Sequence, residues 1–435
     1  MDTALRDEAT ELLRDLIRVD TTNPPGRETA AATLLQGYLE REGIECELVA
    51  REPDRANLVA RIRGTGDGPS LMLLGHTDVV YADASDWRSD PFAGELIGDF
   101  VWGRGALDMK SHTACNAVAF ALLARSGFRP RGDLVLVAEA DEEDGIDKVG
   151  LPFLVAERPD LRTDYALNEG GGERLVLADG RVAYTYTVAE KATMPVRVVV
   201  RGVAGHASMP SAGDNALPKL APVLERLAAY RPQTRLEPEL RALLDGLVPD
   251  SGPLEDRLAR LRALHPMFDE MVEPMLGSTM TPTMATASRK RNVIPARAEV
   301  ICDCRVLPGT TPDDLYAEFR AALGDLEVEL EADEPPEGGT RSAIDTPLAD
   351  ACRAFVAQMD PGALLLPAMS VGFTNSHYLR EAWGTVSYGL FPLRSTDYTI
   401  LSETIHAPDE RIHRDDLAVG ARFLEHACRT IGGSA

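Results

Sequence analysis

The chain is predicted to be an α/β protein, on three observations. Helical and strand-like periodicities alternate through its first half. Several strand-like runs there are apolar throughout, as strands covered on both faces of a sheet are. Each of these runs also stops at an acid or an imidazole, and the carboxyl edge of such a sheet is where α/β enzymes hold their chemistry.

In order along the chain, Leu5, Leu12, Leu13, Leu16 and Ile17 recur at helical spacing over 3–18. Thr21-Thr22-Asn23-Pro24-Pro25-Gly26 breaks that period and reads as a loop. A second helix is expected from Thr29 to Glu42, with Gly43 as its C-cap, then strands over 44–50 and 57–63. After a Gly-rich turn comes Leu71-Met72-Leu73-Leu74-Gly75-His76-Thr77-Asp78, a buried strand ending in His-x-Asp. Residues two apart in extended chain face the same side, so His76 and Asp78 point together. Taken alone, such a pair is more often a satisfied polar pair than part of a metal site.

Residues 81–100 read as a long loop, a length that usually serves function. Asp108 follows in a Gly-rich turn, ahead of a helix over 113–125, with His112 expected at the surface of its start. A second buried strand, 133–140, runs into Asp141-Glu142-Glu143-Asp144, and 164–169 repeats the plan, ending at Glu169 before three glycines. Solvated acids at strand ends are the bland reading of each; their repetition at one sheet edge argues for a shared cation, since clustered carboxylates otherwise repel.

The alternation changes after about residue 182. Residues 182–188 and 194–201 read as long antiparallel strands, followed by Gly205-His206-Ala207-Ser208 and a helix from Asn215. Charged surface helices are expected over 220–275, a strand over 298–305, a capped helix over 311–323 and a strand over 326–331. A polar break at 332–342 returns the chain to helix/strand alternation, which contains Glu403-Thr404-Ile405-His406. His265, His413 and His426 sit in charged helical context and read as structural.

At 435 residues the chain is too long for one compact core, so two domains are expected. The net charge of -24 argues against nucleic acid or an anionic membrane as partner. Six cysteines without a CxxC pair fit a reducing compartment. No apolar leader and no run of about 18 apolar residues is present. A cytoplasmic location is the expectation.

The ordered set Gly75-His76-Thr77-Asp78-Val79-Val80, Trp102 to Lys110, Asp141-Glu142-Glu143, Asn168-Glu169-Gly170, Gly205-His206-Ala207-Ser208, Asn292-Val293-Ile294-Pro295 and His406 to Glu410 resembles the co-catalytic zinc metallopeptidase family of glutamate carboxypeptidase, succinyl-diaminopimelate desuccinylase, acetylornithine deacetylase and aminoacylase. The resemblance spans essentially the whole chain. It implies a mixed-sheet α/β/α catalytic domain over 1–186 and 335–435. An inserted α+β, ferredoxin-like lid or dimerisation domain would occupy 187–334. It implies two Zn²⁺ per subunit, replaceable by Co²⁺ or Mn²⁺: Asp108 would bridge them, His76 and Glu169 would complete one, Glu143 and His406 the other. Glu142 would be the general base for a metal-bridging hydroxide, Asp78 would orient His76, and a cis peptide would follow Asp108. His206 would stabilise the oxyanion, commonly in the partner subunit of a homodimer. Asn292 and Arg305 would contact the substrate, Arg305 through its carboxylate; a structural salt bridge is the competing reading for Arg305. Around Thr374, Asn375 and His377 the family often has Gly-Gly-Thr-Asp-x-Arg, so these three are expected at an altered substrate pocket. Glutamate at 169 favours the peptidase/deacylase branch over N-carbamoyl hydrolases. The implied activity is hydrolysis of an amide in a short peptide or N-acyl amino acid with a free carboxylate. A biosynthetic deacetylase or desuccinylase is the runner-up. A catalytically inactive zinc-binding scaffold is the alternative from another class.

Overall fold

A computed structural model describes residues 2–433. The chain divides into two compact units. One comprises Met1–Val188, Ser342–Ala368 and Thr374–Ala435; the other comprises Ala189–Arg341 with Met369–Phe373. The main crossings fall at 188/189 and 341/342, where 186/187 and 334/335 were expected, and Met369–Phe373 is a short return to the second unit.

The first unit is built on a mixed nine-stranded sheet. Its strands are β1 (Glu45–Ala50), β2 (Ala56–Ile62), β3 (Leu71–His76), β4 (Leu134–Glu139), β5 (Tyr165–Asn168), β6 (Leu175–Val176), β7 (Val182–Glu190), β8 (Leu364–Ser370) and β9 (Val386–Gly389). They lie in the order β1-β2-β4-β3-β5-β9-β7-β8, with β6 beside β7. The pairs β3–β4, β3–β5 and β5–β9 are parallel, whereas β1–β2 and β2–β4 are antiparallel. Every residue of β3 and of β4 is buried, which is why both read as continuous apolar runs. Helices α1 (Thr3–Ile17), α2 (Glu28–Glu40), α3 (Lys110–Arg125) and α4 (Arg414–Gly432) pack on one another, and α3 and α4 also meet β3. The α3–β3 contact is tight: Thr113 Oγ1 donates to the His76 carbonyl at 2.9 Å. A Cβ on Gly75 would lie 2.6 Å from that oxygen, so the last strand position before His76 has room only for glycine.

Three readings of this unit change. Val182–Glu190 belongs to the nine-stranded sheet and does not pair with the next long strand, Val196–Arg201. The 81–100 loop contains the short strands Glu95–Ile97 and, just past it, Phe100–Trp102, which form a three-stranded sheet with Arg411–His413. His112 is buried, not exposed: its ring lies 4.8 Å from that of Phe391, and burial pushes its pKa down to about 3.

In the second unit six strands form a sheet in the order 329–332, 196–201, 297–306, 192–193, 337–338, with Thr279–Thr286 also pairing to Arg297–Val306. Inward residues Val196, Val198, Val200, Val300, Cys302 and Cys304 share one core with Leu220, Val223 and Leu227 of one helix and Leu315, Phe319 and Leu323 of another. The helices over 238–275 are not wholly superficial, because Leu240, Leu244, Phe268 and Val272 are buried. No helix among the described residues is long and apolar enough to cross a membrane.

Candidate metal centre

Parallel pairing fixes the site. In register His76 stands beside Glu139, and Leu73 beside Leu167, so the chain leaves β3, β4 and β5 at one sheet edge. The residues that follow, or end, these strands are His76, Glu142 with Glu143, and Glu169. The three-stranded sheet supplies the other two: Trp102 pairs with Arg411, tying the segment that leads to Asp108 to the one that follows His406.

Asp108 is the centre. Its Oδ1 lies 3.1 Å from His76 Nε2 and its Oδ2 lies 3.0 Å from His406 Nε2. Glu169 Oε2 is 3.7 Å from the same His76 nitrogen, and Glu143 Oε2 is 3.1 Å from that of His406. Two triads result, His76–Asp108–Glu169 and Asp108–Glu143–His406, each with its donor atoms within 4.8 Å of one another. Three donors on a tetrahedral ion with bonds of about 2.0–2.1 Å stand roughly 3.3 Å apart. Two separations in each triad are near that value, 3.1 and 3.7 Å in the first and 3.0 and 3.1 Å in the second. Imidazole and carboxylate donors suit Zn²⁺ and its first-row neighbours. Glu143 also keeps Oε1 buried with no hydrogen-bond partner, an acceptor that a cation would satisfy. The residues therefore fit a two-metal site.

The electrostatics agree. Burial opposes a charge on His76, but Asp108, Asp78 and Glu169 outweigh it and hold its pKa well above the ordinary value. Hydrogen bonds accepted by the Asp108 and Glu143 carboxylates push the His406 pKa up to about 10. Burial, then the Glu169 carboxylate, pushes Glu142 well up; burial and Asp108 push Glu143 up to about 7. Asp108, although partly buried, is held far below the usual carboxylate range by the two histidines. A cluster that recruits protons in this way is one in which positive charge is strongly favoured.

Other side chains hold the donors in place. His76 Nδ1 lies 3.0 Å from the main-chain carbonyl of Asp78, closer than the Asp78 carboxylate at 3.5 Å. Donation to that carbonyl leaves Nε2 as the ligand atom. The Asp78 carboxylate instead accepts the main-chain N–H groups of Glu142 and Glu143, at 3.2 and 3.1 Å. Glu410 carries no role in the sequence reading beyond its motif, yet its buried carboxylate accepts from Arg104 Nη1 (2.6 Å) and from the N–H groups of Gly105, Leu107 and Asp108 (3.0, 2.6 and 3.0 Å). An arginine and a glutamate inside two motif stretches of opposite charge were the available signal. The Asp108–Met109 peptide is cis, as expected from the resemblance.

The remaining expected site residues divide. Thr374, Asn375 and His377 belong to the first unit. Asn375 and His377 are only 6% and 1% exposed, and His377 Nδ1 meets the Thr374 carbonyl at 2.9 Å, so a substrate contact by these two is not open in this structure. Thr374 is part-exposed and faces Asn168, whose Nδ2 lies 3.4 Å from its hydroxyl. His206, Asn292 and Arg305 belong to the second unit. The exposed His206 ring lies 2.7 Å from Ser208 Oγ, and the Asn292 carbonyl accepts from Ala207 N–H beside the short antiparallel pair of Gly205–His206 with Val293–Ile294. Arg305 pairs with Asp303 at 2.9 Å. His265 and His413 cap helices, accepting from Met267 and Asp415 N–H.

Comparison with known proteins agrees with this geometry. Residues 72–430 match the pattern of peptidase family M20/M25/M40. A succinyl-diaminopimelate desuccinylase of Methylobacterium sp. (strain 4-46) is 28% identical over 95% of this chain and 94% of its own length. Among solved structures, an M20 family metallo-carboxypeptidase from Sulfolobus solfataricus superposes with a TM-score of 0.73 at 18% identity, covering 98% of this chain and 99% of that one. A di-peptidase from Saccharomyces cerevisiae superposes with a TM-score of 0.68 at 14% identity, covering 99% and 97%. The chain belongs to peptidase family M20/M25/M40 and is a metal-dependent hydrolase.

Proposed function

We propose that the protein hydrolyses an amide bond in a small substrate that carries a free carboxylate, using two zinc ions held by His76, Asp108, Glu169, Glu143 and His406. The observation that carries this reading is one carboxylate, Asp108, facing both histidines through different oxygens. Bound there, the two cations would supply Lewis-acid polarisation and would lower the pKa of water from about 15.7 toward 7. Glu142 takes the proton of the attacking water and returns it to the departing amine nitrogen, an exchange typically worth about 10²–10⁴ in rate. His206 is assigned to polarising the substrate carbonyl, across a homodimer. Asn292 and Arg305 are assigned to the substrate, with the guanidinium leaving Asp303 for a substrate carboxylate that matches its fork.

An N-acyl amino acid is the first substrate class to test, because a relative named for desuccinylation aligns over nearly the whole chain. Zinc-loaded protein would be assayed against N-succinyl-diaminopimelate, other N-succinyl and N-acetyl amino acids, and dipeptides, reading free amine. Turnover confined to dipeptides would move the assignment to a peptidase. Two bound zincs with no turnover of any member would support an inactive binding protein. Glu142→Ala is expected to keep its metal and lose about 10³-fold or more in kcat, whereas Asp108→Ala loses both metal and turnover. Metal content that survived the loss of Asp108 would sink the bridging role. His206→Ala is expected to bind zinc normally and turn over poorly; mixing it with Glu142→Ala should restore activity if the histidine acts across a dimer, and no recovery would place it within its own chain.

A further inference from the structure

We infer that Asn23 and Arg55 are positioning residues for the Glu142–Glu143 segment, acting through Asp78 and Asp141; this rests on the proposed role of Glu142. The Thr21–Gly26 loop, left without a role by the reaction, is fastened along the chain that leaves β3. Asn23 N–H donates to the Val79 carbonyl at 2.9 Å, Val79 N–H to the Thr21 carbonyl at 3.2 Å, and Thr21 Oγ1 to the Thr77 carbonyl at 2.6 Å. This places the Asn23 carboxamide, 5% exposed, between two buried carboxylates. Its Nδ2 donates to Asp78 Oδ2 at 2.9 Å and to Asp141 Oδ1 at 3.0 Å.

Both bridged carboxylates hold the same segment. Asp78 takes the N–H groups of Glu142 and Glu143. Asp141, the residue before Glu142, has a left-handed φ of 62°, a strained conformation for a non-glycine residue that persists where neighbours over-determine it. Its Oδ2 accepts from Val149 N–H at 3.3 Å, which closes the 141–149 loop. Arg55 brings the counter-charge to Asp141: its side chain, 4% exposed, meets Asp141 Oδ1 at 3.1 Å, grips both oxygens of Glu28 at 2.7 and 2.8 Å, and reaches Asp147 at 2.8 Å. A Cβ on Gly26 would stand 2.2 Å from Arg55 Nε, so the loop glycine makes room for the guanidinium. A carboxamide is required at 23, because it brings two donors to two acids; a carboxylate would set three negative charges together.

The test uses the full chain loaded with Zn²⁺ and the best-turned-over member of the N-acyl amino acid and dipeptide panel. Asn23→Asp, which keeps the side chain's shape, is expected to retain two zincs and a cooperative thermal transition. Its kcat should fall on the order of 10²-fold, as a displaced catalytic group does, with KM within about threefold. Amide hydrogen exchange at Glu142 and Glu143 should quicken by about tenfold or more, as an opened local structure does. In a Glu142→Ala background the same substitution should not lower the residual rate further, since residues acting as a unit are non-additive. Arg55→Lys keeps the charge but not the fork, should show the same pattern more weakly, and decides the matter if Asn23→Asp does not fold. A kcat within about twofold of the parent at full zinc, with unchanged exchange, overturns the inference; so does loss of fold in both variants, which makes the network purely structural. Should Glu142→Ala keep full turnover, the base assignment fails by itself, and the exchange data still report whether Asn23 and Arg55 hold the segment.

Discussion

Glu410 is fully buried, and its two oxygens take four donors, three of them main-chain N–H groups of the turn that ends in Asp108. Arg104, 2% exposed, is its counter-charge. Replacing Glu410 by glutamine removes the charge and leaves a buried guanidinium unpaired, a change that costs about 3–5 kcal/mol. The expected result for Glu410→Gln is a clear fall in thermal midpoint together with weaker zinc binding. An unchanged midpoint would mean that Arg104 finds another partner. Residues of this kind explain what the sequence concealed. His76, Glu143 and Glu169 could be picked out because each ends an apolar run, and His406 because it matches a motif. What Asp78, Asn23 and Glu410 do depends on donors and acceptors brought together from distant loops, and spacing along the chain carries no trace of that.

At the scale of elements, the long apolar strands were legible because full burial removes polar residues from both faces. Val182–Glu190 was legible as a strand but its sheet was not, for a related reason: a strand's sequence records its burial and not its neighbour. The helices over 238–275 carry many charges but bury one stripe, and charge counting alone hides such a stripe. Lys191, just past that strand, illustrates a buried charge with only neutral partners. Its Nζ donates to the carbonyls of Pro274 and Gly277 at 2.9 and 2.8 Å, and burial lowers its pKa to about 8. An unfolded lysine titrates near 10.4, so between about pH 8 and 10 the unfolded chain binds more protons than the folded one. This contribution to stability therefore rises with pH through that window, and the full penalty of the buried charge is present below it. Lys191→Met removes the titration. Chemical denaturation of both proteins from pH 7 to 10 should show the parent gaining on the variant as pH rises; a constant difference would mean that the ammonium is solvated.

At the scale of the molecule, one unit carries both triads and the chain leaves it for the second unit and returns. That discontinuity was visible as a change in strand pattern near 182 and a polar break at 332–342, because a change of domain is a change of periodicity. The boundaries were blurred by a few residues, since the strand Val182–Glu190 itself crosses one of them. A last consequence comes from Asp108 having one carboxylate for two positions. If both positions hold an ion, as proposed, their occupancies are thermodynamically linked. An ion at the first fixes the shared group for the second but also draws on its single negative charge, and whichever effect is larger, each ion alters the other's affinity by the same factor. Calorimetric titration of the metal-free protein with zinc should need two interacting sites, and Glu143→Gln should shift the affinity of the untouched His76–Asp108–Glu169 position; two independent isotherms would show that the bridge does not transmit. The protein would then respond to zinc supply as a cooperative or anticooperative pair, and not as two separate sensors of the same ion.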